Sequence, residues 1–342
     1  MFNGEINLEA SYCELLPQSK ISCLLCPQGC IIPPQGKGFC KVRLNREGKL
    51  IAANYARITG IAVDPIEKKP LYHFYPGQAI LSVGTIGCNL GCEFCQNWQI
   101  SKEDGAPAQR MEPEALVELA VRARRESGSV GLAYTYTEPG VWFEFLQEIM
   151  PRIRERGLKN ILVTNGFLNP DPWKKLLGWT DAANIDLKGF TNEFYQKYCH
   201  GKLEPVKANI EAAVGKIHVE LTNLIIPGAN DQPEEIRAMA QWIAGLDPEI
   251  PLHLSRYFPN YRLATPATSV ATMEQAYQIA KEYLDYVYLG NMGAHNDTRC
   301  PQCGEILVKR AGYSTKVLIE DPSCRKCGRE IPIKGIKKKS EA

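Results

Sequence analysis

The sequence has no long apolar run and no excess of charge of either sign. Its 342 residues carry 40 Lys and Arg against 38 Asp and Glu, a formal charge of +2. A nucleic-acid-binding protein usually presents a basic face, so this balance argues against that class. No stretch reaches the ~18 apolar residues of a membrane-spanning helix, and the first residues lack the pattern of a signal peptide. We therefore expect a cytoplasmic protein that binds neither membranes nor nucleic acid.

Cysteine, in contrast, is abundant. Of 13 cysteines, all but Cys13 and Cys199 fall into three closely spaced sets. A secreted disulfide scaffold would be shorter and would carry an export signal. Clustered cysteines in a reducing compartment indicate metal ligation instead.

The chain divides by composition into four parts. We predict an N-terminal Cys-rich metal-binding segment (1–75), a core (76–295), a zinc-ribbon-like unit (296–336) and a basic tail (337–342). The core alternates strand and helix patterns. The strand patterns cover residues 79–83, 130–134, 160–163, 182–185, 218–226, 251–254 and 286–289. The helix patterns cover residues 113–125, 141–156, 233–244 and 268–283. This alternation predicts an α/β fold with a parallel sheet, a whole or partial (β/α) barrel of the TIM type.

The second cysteine set follows the first core strand directly. Cys88, Cys92 and Cys95 form a C-x₃-C-x₂-C loop, in which Gly87 and Gly91 permit sharp bends. A [4Fe–4S] cluster normally takes four thiolates. Three leave one iron open to an outside ligand, which is typical of a catalytic cluster. A zinc knuckle is the alternative interpretation.

This loop resembles that of the radical S-adenosylmethionine (SAM) superfamily. The resemblance implies that the open iron binds SAM and that one electron splits it into methionine and a 5′-deoxyadenosyl radical. That radical abstracts hydrogen from a substrate. The resemblance also places Phe94, the aromatic residue before the third cysteine, near the adenine.

Polar residues follow the later strands, where barrel enzymes gather their chemistry. Residues 136–139 resemble the Gly-Gly-Glu-Pro segment that binds the ammonium group of SAM, with Glu138 as the acid but Tyr136 and Thr137 in place of the glycines. Thr164-Asn165-Gly166 and Asp186-Leu187-Lys188 resemble motifs of the activating enzymes of glycyl-radical enzymes. There they seat the SAM carboxylate, in part through a cation, and Lys188 would pair with that carboxylate. A plain ion pair between Asp186 and Lys188 is the alternative.

Two more strand ends carry candidates for SAM or substrate binding. We expect Asn223 to bind a ribose, and His253 and Arg256 to bind a substrate anion or to donate a proton. Strand alternation puts His253 and Ser255 on one face, so His253 and Arg256 need not converge.

The remaining cysteines form two further sets. Cys300, Cys303, Cys324 and Cys327 are paired C-x₂-C-G knuckles, which predict one tetrahedral site, zinc rather than rubredoxin-like iron. Cys23, Cys26, Cys30 and Cys40 allow a second four-sulfur site. Ferredoxin-type runs space their first three cysteines two residues apart, which this set does not. We therefore favour zinc there, with a second iron–sulfur cluster as the alternative.

The whole pattern resembles the radical enzyme of the AmmeMemoRadiSam system. The shared features include residues 23–30, 67–74, 88–98, 184–190 and 222–228 and the terminal ribbon. This resemblance implies Memo-type and Ammecr-type partner proteins and a low-potential electron donor such as ferredoxin or flavodoxin. A glycyl-radical enzyme activase and a non-catalytic metal-binding scaffold are the alternative functions.

Overall fold

An open eight-stranded sheet organises the chain in the computed structural model, which describes residues 8–293 and 296–336. The strands of the sheet are Gly60–Pro65 (β1), Ala79–Gly84 (β2), Gly131–Thr135 (β3), Lys159–Thr164 (β4), Ala182–Asp186 (β5), His218–Ile225 (β6), Leu252–Arg256 (β7) and Val287–Gly290 (β8). Strands β2 to β8 lie side by side in chain order and are all parallel. The predicted α/β fold with a parallel, incompletely closed barrel is confirmed.

Strand β1 was not predicted. It runs antiparallel to β2, with Gly60 opposite Gly84 and Pro65 opposite Ala79. Three of its six residues are exposed, so it lacks the continuous apolar run that marks the inner strands. The core sheet therefore begins inside the segment 1–75 that we assign to the N-terminal unit.

Helices cover the outer face of the sheet. The α-helices are Trp98–Lys102 (α1), Pro113–Ser127 (α2), Phe143–Glu155 (α3), Pro170–Leu177 (α4), Asn192–Phe194 (α5), Leu203–Ala213 (α6), Pro233–Leu246 (α7) and Val270–Lys281 (α8). Short 3₁₀ turns lie at Pro17–Ser19, Ile66–Lys68 and Pro139–Trp142, and a π-helical turn lies at Tyr195–Cys199. All four predicted helices are present, whereas α4 and α6 were missed.

Helix α2 shows how the sequence sets these boundaries. Pro113 occupies the first turn, where its missing N–H costs nothing. Leu116, Val117 and Ala120 recur at helical spacing and are buried against the sheet. The helix ends at Gly128, whose φ of +67° favours glycine over other residues.

The inner face of the sheet is filled at the starting ends of the strands by residues 66–74, which we call the floor segment. Leu71 and Phe74 of this segment pack against Ile80, Ile161 and Ala182, all near strand starts. The floor segment therefore separates the interior from the solvent below the sheet.

A buried carboxylate, Glu220, ties the floor segment to two strands. It accepts hydrogen bonds from the backbone N–H groups of Tyr72 (2.9 Å) and His73 (2.7 Å). The Nε2 atoms of His218 (2.9 Å) and His253 (2.7 Å) complete the set. These donors hold the pKa of Glu220 below its usual range, although burial acts in the opposite direction.

The N-terminal segment forms short antiparallel ribbons. Cys13–Leu16, Lys20–Cys23 and Ile31–Ile32 make a three-stranded sheet, while Arg43–Arg46 pairs with Lys49–Ala52 and Arg57–Ile58 with Gln109–Arg110. Arg43 is 1% exposed and binds the Glu144 carboxylate of α3 through both terminal nitrogens, at 2.8 and 2.7 Å. This bidentate pair fixes the segment to the core.

The C-terminal unit is a ribbon with strands Thr298–Arg299, Ile306–Ala311 and Ser314–Val317. Its apolar side packs on Tyr286 and Tyr288 beside β8. Arg310 donates a hydrogen bond of 2.7 Å to the Tyr72 carbonyl of the floor segment. The predicted basic tail, 337–342, lies outside the described residues. Within the residues described, no helix is long and apolar enough to cross a bilayer.

Candidate active site

A cavity of about 300 Å³ opens at the carboxyl ends of the parallel strands. Its walls come from the cluster loop and from the residues that follow successive strands. The predicted site residues among them are Cys88, Cys92, Phe94, Cys95, Glu138, Thr164, Asn165, Asp186 and Lys188. A larger cavity of about 590 Å³ lies at the opposite end and contains none of these residues. The predicted site residues therefore lie at the smaller cavity.

The cluster loop packs tightly on the N-terminal segment. Gly87 has a φ of +87°, and a Cβ on it would lie 2.6 Å from the carbonyl oxygen of Cys40. Only glycine fits there. The Cys88 sulfur accepts hydrogen bonds from the Leu90 N–H (3.4 Å) and from Nδ2 of Asn165 (3.7 Å). Such donors stabilise a thiolate, which is the form that binds iron.

Cys199 lies next to this loop, although sequence reasoning assigned it no role. It is fully buried, and its thiol hydrogen-bonds to Cys92. That bond lowers the pKa of Cys92 to about 7, against the effect of burial. Burial raises the pKa of Cys199 itself, so Cys199 is the neutral donor of the pair. A lone cysteine outside any motif carries no sequence signal that would have found it.

Glu138 holds the loop after β4. It is 1% exposed, and its Oε1 accepts from the Thr164 hydroxyl and the Gly140 N–H, each at 2.7 Å. Its Oε2 accepts from the Asn165 N–H at 2.8 Å. Burial raises the pKa of Glu138 to about 7, although the three donors lower it. This carboxyl can therefore change its charge near neutral pH if a cation binds beside it.

Tyr136 and Thr137 stand where the resembling segment has glycines. Tyr136 has a φ of +34°, a conformation that glycine adopts at less cost, and its hydroxyl accepts from Lys69 at 2.7 Å. The Thr137 hydroxyl donates to the carbonyls of Thr85 (3.2 Å) and Gly87. The two larger side chains thus stabilise the cavity wall and the start of the cluster loop. The sequence analysis did not predict this role.

Asp186 and Lys188 form an ion pair in the cavity wall, with Nζ of Lys188 2.7 Å from Oδ2 of Asp186. Burial disfavours the charge on Lys188, but Asp186 and the thiols of Cys92 and Cys199 raise its pKa well above the ordinary value. Lys188 therefore stays cationic. Together the two side chains present one positive and one negative group to the cavity.

Comparison with known proteins adds independent evidence. The sequence model of the radical SAM superfamily matches residues 82–243, the span that contains the cysteine loop and the polar strand ends. An uncharacterized protein of Methanocaldococcus jannaschii is 41% identical over 337 residues, which cover 95% of this chain and 99% of that protein. The chain belongs to the radical SAM superfamily.

Other relatives of this radical SAM protein are more distant. The pyruvate formate-lyase-activating enzyme of Staphylococcus epidermidis is 24% identical over 176 residues, 48% of this chain and 68% of that enzyme. The crystal structure of a radical SAM methyltransferase from Sphaerobacter thermophilus covers 63% of this chain and 67% of its own, with a TM-score of 0.50 and 17% identity. That likeness supports the fold alone.

Membership of the radical SAM superfamily implies a [4Fe–4S] cluster and SAM, and the residues present fit both groups. Cys88, Cys92 and Cys95 line one wall of the cavity, and within the described residues no fourth cysteine lines it. An open iron requires this arrangement. Across the cavity, Glu138 and the Asp186–Lys188 pair offer charges that complement the ammonium and carboxylate of an amino acid.

Three predicted residues of the radical SAM site lie elsewhere. The Asn223 side chain is buried outside the cavity lining and donates to the Leu187 carbonyl at 2.7 Å. Its neighbours Thr222 and Leu224 line the cavity instead. Successive side chains of a strand point to opposite faces. Glu220, Thr222 and Leu224 of β6 face inward, so Asn223 faces the other way.

His253 and Arg256 also stay out of the cavity. His253 faces inward but lies one layer lower, bound to Glu220 at 2.7 Å. Arg256 donates to the Thr268 carbonyl at 2.6 Å and lies over the Phe258 ring, 4.9 Å from its centroid. Ser255, between them, is the residue of β7 that lines the cavity.

The ribbon cysteines form a compact tetrad. Their four sulfurs all lie within 4.8 Å of one another, with 3.5 Å between Cys300 and Cys327 and between Cys303 and Cys324. One tetrahedral ion with metal–sulfur bonds of about 2.3 Å would hold its ligands at such separations. None of the four lines the cavity, so this metal would stabilise the ribbon rather than take part in catalysis.

Proposed function

We propose that this protein cleaves SAM reductively at a cluster bound by Cys88, Cys92 and Cys95 and then abstracts hydrogen from a substrate in the same cavity. The observation that carries the proposal is the meeting of the three-cysteine loop with Glu138 and Lys188 in one cavity. When bound, the cluster and SAM supply the 5′-deoxyadenosyl radical. A ferredoxin or flavodoxin, the usual donors of this superfamily, would supply the electron.

The residues of the chain have separate tasks in this proposal. Glu138 accepts the SAM ammonium while it holds the Thr164 hydroxyl and the Asn165 backbone in place. Lys188 pairs with the SAM carboxylate, and Asp186 keeps the ammonium of Lys188 in position. Phe94, 5% exposed in the same wall, packs beside the adenine. Cys199 donates to Cys92 and favours its thiolate.

The substrate enters from the side of the cavity lined by Lys68, Tyr136, Ser255 and Asn291. We assign the chain to the AmmeMemoRadiSam group, because the shared motifs extend over the N-terminal segment and the ribbon as well as the core. Memo-type and Ammecr-type proteins would then present or receive the substrate.

The second candidate is activation of a glycyl-radical enzyme. Two pyruvate formate-lyase-activating enzymes match about half of this chain, at 24% and 26% identity. In this case the substrate is a backbone glycine of a large partner protein. The product would be a stable glycyl radical on that partner, which has a characteristic EPR doublet.

The test is anaerobic. Reconstituted protein, dithionite and SAM are incubated with and without the Memo-type and Ammecr-type proteins, and 5′-deoxyadenosine is measured by mass spectrometry. We expect cleavage by the wild type, no cleavage by Cys92→Ala, and retained cleavage by the control Cys13→Ala. Cleavage by Cys92→Ala would refute the proposal, and no cleavage by a wild-type protein with a full cluster would favour the scaffold. A mass change on an added partner would identify the substrate, whereas an EPR doublet on a glycyl-radical enzyme would favour the activase.

A further inference from the structure

The four N-terminal cysteines lie beside the cluster loop, and three of them are buried. Cys23 ends the strand Lys20–Cys23, and its N–H donates to the Cys30 carbonyl at 2.9 Å. Gly29, with a φ of +56°, donates its N–H to the Cys26 carbonyl and turns the chain between the second and third cysteines. Cys23, Cys26 and Cys40 are 5%, 8% and 7% exposed. Cys30 and Cys40 lie within electrostatic range of Cys23 and Cys26, and Cys30 lies within range of Cys40.

Backbone N–H groups point at all four of these sulfurs. Phe39 donates to the Cys30 sulfur at 3.3 Å. The backbone N–H groups of Leu25, Gln28 and Val42 lie near the sulfurs of Cys23, Cys26 and Cys40, and that of Arg43 also lies near Cys40. Three buried thiols and the half-buried thiol of Cys30, each near a backbone N–H group, form a ligand set for a metal centre.

The spacing of the sulfurs separates zinc from an iron–sulfur cluster. One zinc ion with bonds of about 2.3 Å holds its four sulfurs about 3.8 Å apart, as the ribbon tetrad shows. In the described part of the chain, the ribbon cysteines are the group whose sulfur atoms all lie within 4.8 Å of one another. The sulfur atoms of Cys23, Cys26, Cys30 and Cys40 are not all this close, and those of Cys88, Cys92 and Cys95 are not either. A cubane binds each thiolate on a different iron, which keeps the sulfurs further apart than one shared ion does.

We infer that Cys23, Cys26, Cys30 and Cys40 bind a second [4Fe–4S] cluster, fully ligated by protein and packed against the back of the catalytic loop. Three contacts define this position. Nε2 of Gln28 donates to the Asn89 carbonyl at 2.9 Å. The Cys40 carbonyl abuts Gly87, and the Phe39 ring lies 3.0 Å from where a Cβ on Gly91 would be. The inference depends on these residues and not on SAM cleavage.

The experiment uses the full chain with the catalytic loop disabled. The variant Cys88→Ala, Cys92→Ala, Cys95→Ala is reconstituted anaerobically with iron, sulfide and zinc all supplied. Iron, acid-labile sulfide and zinc are then counted. We expect about four irons and four sulfides per chain, plus one zinc in the ribbon. The further changes Cys23→Ala and Cys26→Ala should remove the iron and leave the ribbon zinc, which shows that the chain still folds.

The wild-type protein provides the second measurement. It should bind about eight irons, and the dithionite-reduced form should give two EPR signals, of which SAM alters only one. The control Cys13→Ala should match the wild type. Two zinc ions and no iron in the triple variant, or about four irons and two zinc ions in the wild type, would overturn the inference. Because the triple variant cannot cleave SAM, its iron count is independent of the proposed function.

Discussion

Replacing Glu138 by glutamine tests whether this carboxyl binds the SAM ammonium. The change keeps the size of the side chain and removes its negative charge. In the wild type, three donors at 2.7 to 2.8 Å already surround the carboxylate. A glutamine oxygen can replace only one carboxylate oxygen, and its NH₂ group must then face at least one backbone N–H, either that of Gly140 or that of Asn165.

The structure sets the size of both expected effects. One buried N–H left without an acceptor lowers the free energy of unfolding by about 1–3 kcal/mol. The lost charge-assisted hydrogen bond to the ammonium removes about 1.5–3 kcal/mol of binding free energy, which raises the Kd for SAM by about 10- to 150-fold.

The pH dependence gives a separate signature. Burial raises the pKa of Glu138 from 4.5 to about 7, so between these values the folded protein keeps a proton that the unfolded chain releases. The contribution of Glu138 to the free energy of unfolding therefore falls as pH rises through that range. A bound ammonium favours the carboxylate and lowers its pKa, so SAM binding should release a proton below pH 7. The affinity of the wild type should then increase with pH up to about 7, while that of Glu138→Gln should not.

Isothermal titration calorimetry of anaerobically reconstituted protein, in two buffers of different ionisation enthalpy, measures both affinity and proton release. Exposed Glu126→Gln in helix α2 is the matched control and should behave as the wild type. An unchanged Kd with the same proton release in Glu138→Gln would show that the ammonium binds elsewhere.

Two further predictions concern stability. Glu220→Ala leaves four donors without their acceptor, so we expect urea unfolding to show that the free energy of unfolding falls by about 3–5 kcal/mol. The exposed control Glu126→Ala should lose almost nothing. Equal losses in the two variants would contradict the role of Glu220. Cys324→Ala should abolish zinc binding by the ribbon and increase hydrogen exchange across residues 296–336 while the iron content stays constant. A variant that lost iron as well would contradict the separation of the two sites.

The inner strands and most cavity residues could be predicted because they follow simple periodic rules. The strand patterns at 79–83 and 182–185 match β2 and β5 closely, since these strands are buried on both faces and mostly apolar. Glu138 and Lys188 were found because they follow such strands. Edge strand β1, which is half exposed, lacks that pattern.

Some predicted site residues lie outside the cavity for a different reason. Asn223 was chosen for its polarity, although Glu220 and Thr222 already fix which residues of β6 face inward. This alternation places Asn223 outside the cavity lining. Cys199 and Thr137 act through contacts between segments far apart in the chain, which no local pattern encodes.

The floor segment has a kinetic consequence. Leu71, Phe74 and the Glu220 layer fill the interior below the cavity, and the cavity itself lies at the carboxyl ends of the strands. Under the proposed function SAM would lie against the cysteine loop, so we expect it to bind before the substrate. Its fragments would then leave after the modified substrate. Steady-state turnover should therefore be strictly sequential, and excess substrate should trap methionine and 5′-deoxyadenosine inside.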